Sequence, residues 1–241
     1  MYTNVNLLAP VGIIAFLAVC LCFVLGASFL FYSLVFRKML RAGLTAIAIL
    51  AGLGLYFGLM TGFSVAGAER VLDRGTEKHF CEVDCHLAYS VVDVNKTRTI
   101  GDGPNQAAAN GLYYIVTVKT RFDETTISPT RGNGPLTPSR RVVEITDELG
   151  RRYKPSQEGQ RALELSHGDG TPISTPLRPG ESYTSALVFD LPAGVENPTL
   201  MINSPGLLSR FIIGHENSFL HAGTKFSLSE QTRHGMIYAS R

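Results

Sequence analysis

The chain has 241 residues, a formal net charge of +2 at pH 7 and 45% hydrophobic residues, long enough for one ordinary domain plus further segments. So small a net charge gives no electrostatic basis for capturing nucleic acid, and no basic or aromatic stripe supplies one. The hydrophobic residues are unevenly spread: the first third is strongly apolar and the rest is mixed.

From Val11 to Phe36 the sequence, VGIIAFLAVCLCFVLGASFLFYSLVF, carries no charge, and a second uncharged run follows from Ala42 to Ala68. A helix of about 20 apolar residues crosses a bilayer, and both runs exceed that. Only RKMLR, residues 37–41, separates them. Residues 1–68 are therefore expected to form a transmembrane hairpin, with helices over about 11–36 and 42–66 and a loop at 37–41. The opening MYTNVN has no basic side chain and the first run is too long for a signal peptide, so cleavage is not expected. Arg37, Lys38 and Arg41 crowd the loop with no acid beside them, and short basic loops stay in the cytoplasm. Both ends of the chain then face the outer side.

Small residues recur at every fourth position in both helices: Ala18, Cys22 and Gly26 in the first, Gly54, Gly58 and Gly62 in the second. Such spacing lets two backbones approach closely in lipid. Counted from the loop, the two stripes lie at matching depths, so they are expected to pack against each other. A helix of another protein is the alternative occupant. Neither helix holds an ionisable side chain in its middle, which argues against an ion or proton pathway.

After a charged linker, residues 69–79, the pattern changes to short strands. CHLAYSVVDV (85–94) and LYYIVTVKTRF (112–122) are rich in β-formers, and RRVVEITDELGRRYKPS (140–156) reads as two strands around a Glu-Leu-Gly turn. RALEL (161–165), ESYTSALVFDLP (181–192), PTLMIN (198–203) and TKFSL (224–228) complete the set. Seven or eight short strands with turn signals between them point to an antiparallel β-sandwich over residues 80–228, followed by a tail at 229–241.

Within this region, LRPGESYTSALVFDLPAGVENPTLMIN resembles the late strands of telokin-like, immunoglobulin-type domains of unknown function on bacterial cell-surface proteins. Leu112 to Phe122 is similar to their long central strand, and Val142 to Pro155 to their hairpin. The resemblance implies an immunoglobulin-like sandwich used for binding or structure, and it brings no catalytic residues.

Two loops stand out. DETTISPTRGNGPLTPSR (123–140) is long for a compact domain, as functional loops often are. SPGLLSRFIIGHENSFLH (204–221) carries Leu207, Leu208, Phe211, Ile212 and Ile213. It reads either as a strand or helical turn that plugs the sandwich or as a contact with the membrane surface or a partner protein.

Cys20 and Cys22 fall in the first helix and are expected to be free. Cys81 and Cys85 lie outside the membrane in this topology, where disulfides persist. In one extended strand their Cα atoms would be about 13 Å apart, too far for a bond, so a turn between them is required. A Cys81–Cys85 disulfide clipping the linker to the first strand is the expectation. The alternative is a copper or zinc site using Cys81 and Cys85 with His86 or His79. The copper loop of oxidase subunit II is similar in having two cysteines four apart, but its following methionine is missing here, with Tyr89 nearest. His215 and His221 are read as structural.

No Gly-x-Ser-x-Gly elbow, phosphate-binding loop or His-Glu-x-x-His helix is present. The expected function is therefore a non-enzymatic accessory subunit of a bacterial inner-membrane complex, respiratory or photosynthetic. Its hairpin would pack on core helices, and its periplasmic sandwich would brace an extrinsic partner. No cofactor is expected, and membrane lipid and other subunits are the expected partners. The rival readings are a periplasmic copper-binding or electron-transfer protein and an envelope sensor or ligand-binding module.

Overall fold

A computed structural model describes residues 2–4, 9–81, 86–126, 130–204 and 206–229. The chain divides into two units: one built on Thr3–Arg70 with Pro205–Gly223, the other on Val71–Ser204 and the chain from Thr224.

The first unit is a helical hairpin. Helix α1 spans Ala9–Val35 and α2 spans Met39–Ala66, and both are long and apolar enough to cross a membrane. At about 1.5 Å per residue each is roughly 40 Å long, more than the hydrocarbon thickness of a bilayer. The turn between them is closed by backbone bonds from Arg37 N to Leu34 O and from Lys38 N to Ser33 O, with Arg37 at a φ of 54°.

The second unit is an antiparallel β-sandwich. One sheet has the order β1-β3-β4-β5-β8 (Tyr2–Thr3, Lys78–Phe80, Leu87–Ile100, Ala107–Phe122, Ser182–Leu191). The other has the order β2-β10-β9-β6-β7 (Arg70–Leu72, Thr224–Ser227, Thr199–Asn203, Val142–Thr146, Arg152–Tyr153). Side chains alternate across a strand, and β5 uses both faces. Tyr114, Val116 and Val118 enter the core between the sheets, while Tyr113 and Ile115 face the other way. Val143, Ile145, Leu200, Ile202 and Phe226 close the main core from the second sheet. Each such fully buried side chain stabilises by about 1.5–3 kcal/mol.

The outer face of the first sheet is covered by helix α3, Gln157–His167, whose Ala162 packs with Ile100, Ala107, Tyr113 and Val188. Here the structure corrects the strand expected at 161–165. Five residues are too few to fix a period, and strong helix ends decide the matter. The Ser156 hydroxyl accepts from Gly159 N at 3.1 Å, and Gly168 takes a φ of 84° just past the last turn. Gly159 also lets the helix lie close to the sheet, since a Cβ there would sit 2.6 Å from the Val188 side chain.

The linker expected at 69–79 is likewise partly built. Arg70–Leu72 and Lys78–Phe80 are strands, because Leu72 and Phe80 are buried in the main core. The hairpin read at 140–156 is present, with Ile145 opposite Tyr153 and Gly150 at a φ of 75° in the turn. Asp147 organises it, accepting from Leu149 N, Arg151 N, Arg151 Nε and the Tyr153 hydroxyl at 2.6–3.0 Å.

Candidate functional site

The contact between α1 and α2 differs from the expected pairing of two small-residue stripes. A Cβ at Gly26 would lie 3.0 Å from the Ile49 side chain, so Gly26 receives a branched residue as a knob. On α2 the buried positions are Ala42, Tyr56, Met60 and Ser64. Gly54, Gly58 and Gly62 are exposed, and nothing lies within 4 Å of where their side chains would be. Small against large fills the seam better than small against small, which leaves the glycine stripe on the outside. Ala18, Cys22 and Gly26 instead line one wall of a groove of about 450 Å³, with Thr45, Ala48 and Gly52 opposite.

The apolar segment at 206–223 is part of this helical unit rather than a plug of the sandwich. It leaves after β9 and returns at β10. Its short 3-10 turn, Leu208–Phe211, rests on the hairpin. The Tyr56 hydroxyl donates to Phe211 O at 2.6 Å, and the Phe211 ring stacks on Phe16 with centroids 6.4 Å apart. Gly12 touches the Ile213 carbonyl so closely that no side chain fits there, and Gly67 meets His221. Glu216 N donates to Asn4 O at 2.9 Å. Ser218 Oγ donates to Ile212 O. Irregular backbone beside long apolar helices needs such partners for its polar groups. Phe211, Ile212 and Ile213 are half-buried in this contact, whereas Leu207, Leu208, Phe219 and Leu220 are exposed.

Sequence reasoning missed Tyr56, Phe16 and Gly12. A signal existed: the single tyrosine of α2 carries a hydroxyl that needs a partner when buried.

In the sandwich, the two histidines offered as metal ligands are engaged otherwise. His79 Nε2 lies 3.0 Å from Asp123 Oδ2, both buried. His86 Nδ1 lies 2.8 Å from the Thr126 hydroxyl, and its ring stacks on Phe122. Asp123 also accepts from the Thr125 hydroxyl at 2.7 Å and pairs with Arg121 at 3.3 Å. Burial works to raise the Asp123 carboxyl, but the bonds from Thr125, His79 and Arg121 outweigh it and hold it well below the usual range. Arg121 forks onto Glu77 through two bonds of 2.7 Å, and this hydrogen bonding is the main cause that holds the Glu77 carboxyl below its ordinary range. Among the described residues, no three His, Cys, Asp or Glu side chains converge on a metal position.

Cys20 and Cys22 are free and exposed on α1, and Cys81 is not among the free thiols. Its expected partner Cys85 lies outside the described residues. His215 Nδ1 accepts from Asn217 N at 3.0 Å, a local turn contact.

Lys78 is fully buried between the sheets, donating to Ile202 O at 3.3 Å and Thr224 O at 3.1 Å. Beside it Arg141 bonds the Ser204 hydroxyl at 2.6 Å and lies 4.4 Å from the Phe80 ring centroid. These cations brace the two points where the chain departs for, and returns from, segment 206–223.

No family model and no curated protein matches the chain. Two solved structures are similar to it. A conserved hypothetical protein from Bacillus anthracis shares 14% identity at a TM-score of 0.37, over 49% of this chain and 82% of that one. MPT63, a secreted protein from Mycobacterium tuberculosis, shares 13% identity at a TM-score of 0.41, over 66% of this chain and 98% of its own.

Proposed function

We propose that this chain is a non-enzymatic accessory subunit of a bacterial inner-membrane complex, respiratory or photosynthetic, with its sandwich in the periplasm. The observation that carries the reading is the open face of Gly54, Gly58 and Gly62. Helix α2 already has α1 on one side. The glycine stripe is centred about 120° round the helix from the groove side, at roughly 100° per residue. In lipid, a face of small residues gains packing energy only when another helix seats on it. A helix of a core subunit is the fitting occupant, and the hairpin thereby docks the chain.

Arg37, Lys38 and Arg41 hold the tip in the cytoplasm, which sends the sandwich to the oxidising side. There a Cys81–Cys85 disulfide clips the start of an immunoglobulin-like domain, and the domain braces an extrinsic partner. The test is extraction in a mild detergent followed by native electrophoresis. The chain should migrate in a larger assembly, and Gly58→Leu should release it while leaving it folded. Wild-type chain that migrates alone would overturn the reading.

A further inference from the structure

Three cations crowd the hairpin tip. Arg37, Lys38 and Arg41 are exposed and form no ion pair among the described residues. The first acid in the chain is Glu69. Lys38 Nζ lies over the Tyr32 ring at 5.3 Å, and Tyr32 packs on Phe36 with centroids 4.5 Å apart, so aromatic rings stand at the same level. That pairing of rings and cations marks the headgroup layer of a bilayer.

Directly below the tip lies the groove of about 450 Å³ between α1 and α2. Thr45, on its wall, is one helical turn beyond Arg41, and the wall runs on to Leu55, about 15 Å along the axis. The Thr45 hydroxyl is turned back onto Arg41 O at 2.8 Å, so the groove presents no free hydroxyl. A volume within the roughly 300–1,000 Å³ of small-molecule sites, drawn out into a slot of apolar lining, suits a hydrocarbon tail.

We propose that the hairpin binds one anionic glycerophospholipid, its phosphate on Arg37, Lys38 and Arg41 and one acyl chain in the groove. Charge complementarity selects the headgroup, and the depth of the groove below the cations matches a chain hanging from that headgroup. A zwitterionic lipid would satisfy the groove and offer the same phosphate, but its own ammonium cancels the net charge that the three cations attract. The proposal rests on the hairpin crossing the bilayer, not on the docking of a partner subunit.

The experiment reconstitutes the full chain into vesicles of phosphatidylcholine and phosphatidylglycerol at three to one, extracts it gently, and counts bound lipid by native mass spectrometry. Wild type should carry one phosphatidylglycerol per chain, enriched over the bulk ratio. A triple variant, R37Q/K38Q/R41Q, should bind it about 100-fold more weakly, at roughly fivefold per charge. Gly52→Leu fills the groove where nothing lies within 4 Å, so the helices need not move, and it too should lose the lipid with the cations intact. Lipid retained at the bulk ratio in wild type overturns the proposal, as does full binding by Gly52→Leu. A chain that never enters the vesicles overturns the membrane reading instead, and flotation of the vesicles separates the two results.

Discussion

Replacing Tyr56 by Phe removes one oxygen and tests whether segment 206–223 is held by the hairpin. The ring is retained, so its buried contacts persist, while Phe211 O loses the donor now 2.6 Å away. A buried acceptor left unmade costs about 1–3 kcal/mol, and side-chain bonds between membrane helices measure about 0.6–1.7 kcal/mol. The overlap is about 1–1.7 kcal/mol, a factor of roughly 5–18 in the opening equilibrium of the segment. Hydrogen exchange of the full chain in detergent reads this directly. Amides at 206–223 should exchange roughly 5–18 times faster in the variant, with β4 and β5 unchanged. Equal exchange at 206–223 in both proteins would refute the contact, and acceleration spread evenly over the sandwich would refute its local nature.

Gly159→Val should lower the thermal midpoint of the sandwich, because its Cβ would meet Val188 at 2.6 Å and Tyr113 at 2.9 Å; overpacking of this kind costs about 1–3 kcal/mol. Lys78→Ala strips two interior carbonyls, Ile202 O and Thr224 O, of a donor and should destabilise the sandwich by about 2–4 kcal/mol in thermal unfolding. Acid should loosen the same domain. Asp123 and Glu77 have folded pKa values below their ordinary ones, so the stability they add is present above those ordinary values of 3.8 and 4.5 and is lost as pH falls through the lower folded values. The midpoint should hold from about pH 7 to 5 and decline below about pH 4, and Arg121→Gln should flatten that decline.

The hairpin was legible because charge is absent from two long runs and concentrated between them, a pattern read without any knowledge of packing. The strands of the sandwich were legible where both neighbours bury them, as in Leu112 to Phe122, which pairs with β4 and β8 along nearly its whole length. Helix α3 was not, because the five residues of RALEL are too few to show a helical period. The decisive signals, Ser156 and Gly168, lie outside that window. Which face of α2 meets α1 was illegible for a different reason. An apolar helix has no polar side to exclude, so shape alone chooses, and Ile49 against Gly26 outcompetes glycine against glycine. The location of segment 206–223 depends on contacts between residues far apart in sequence, Tyr56 and Phe16 with Phe211 and Gly12 with Ile213 among them, and no local periodicity encodes them.

A photoreactive amino acid placed at Gly58 in intact membranes tests the central claim most directly. Nothing lies within 4 Å of that position, so the probe points away from the hairpin's own contacts. The account predicts a discrete covalent adduct with a different membrane protein, absent when the probe stands at Leu25 on α1. A probe at Gly58 that captures no protein, or only a second copy of this chain, would contradict it.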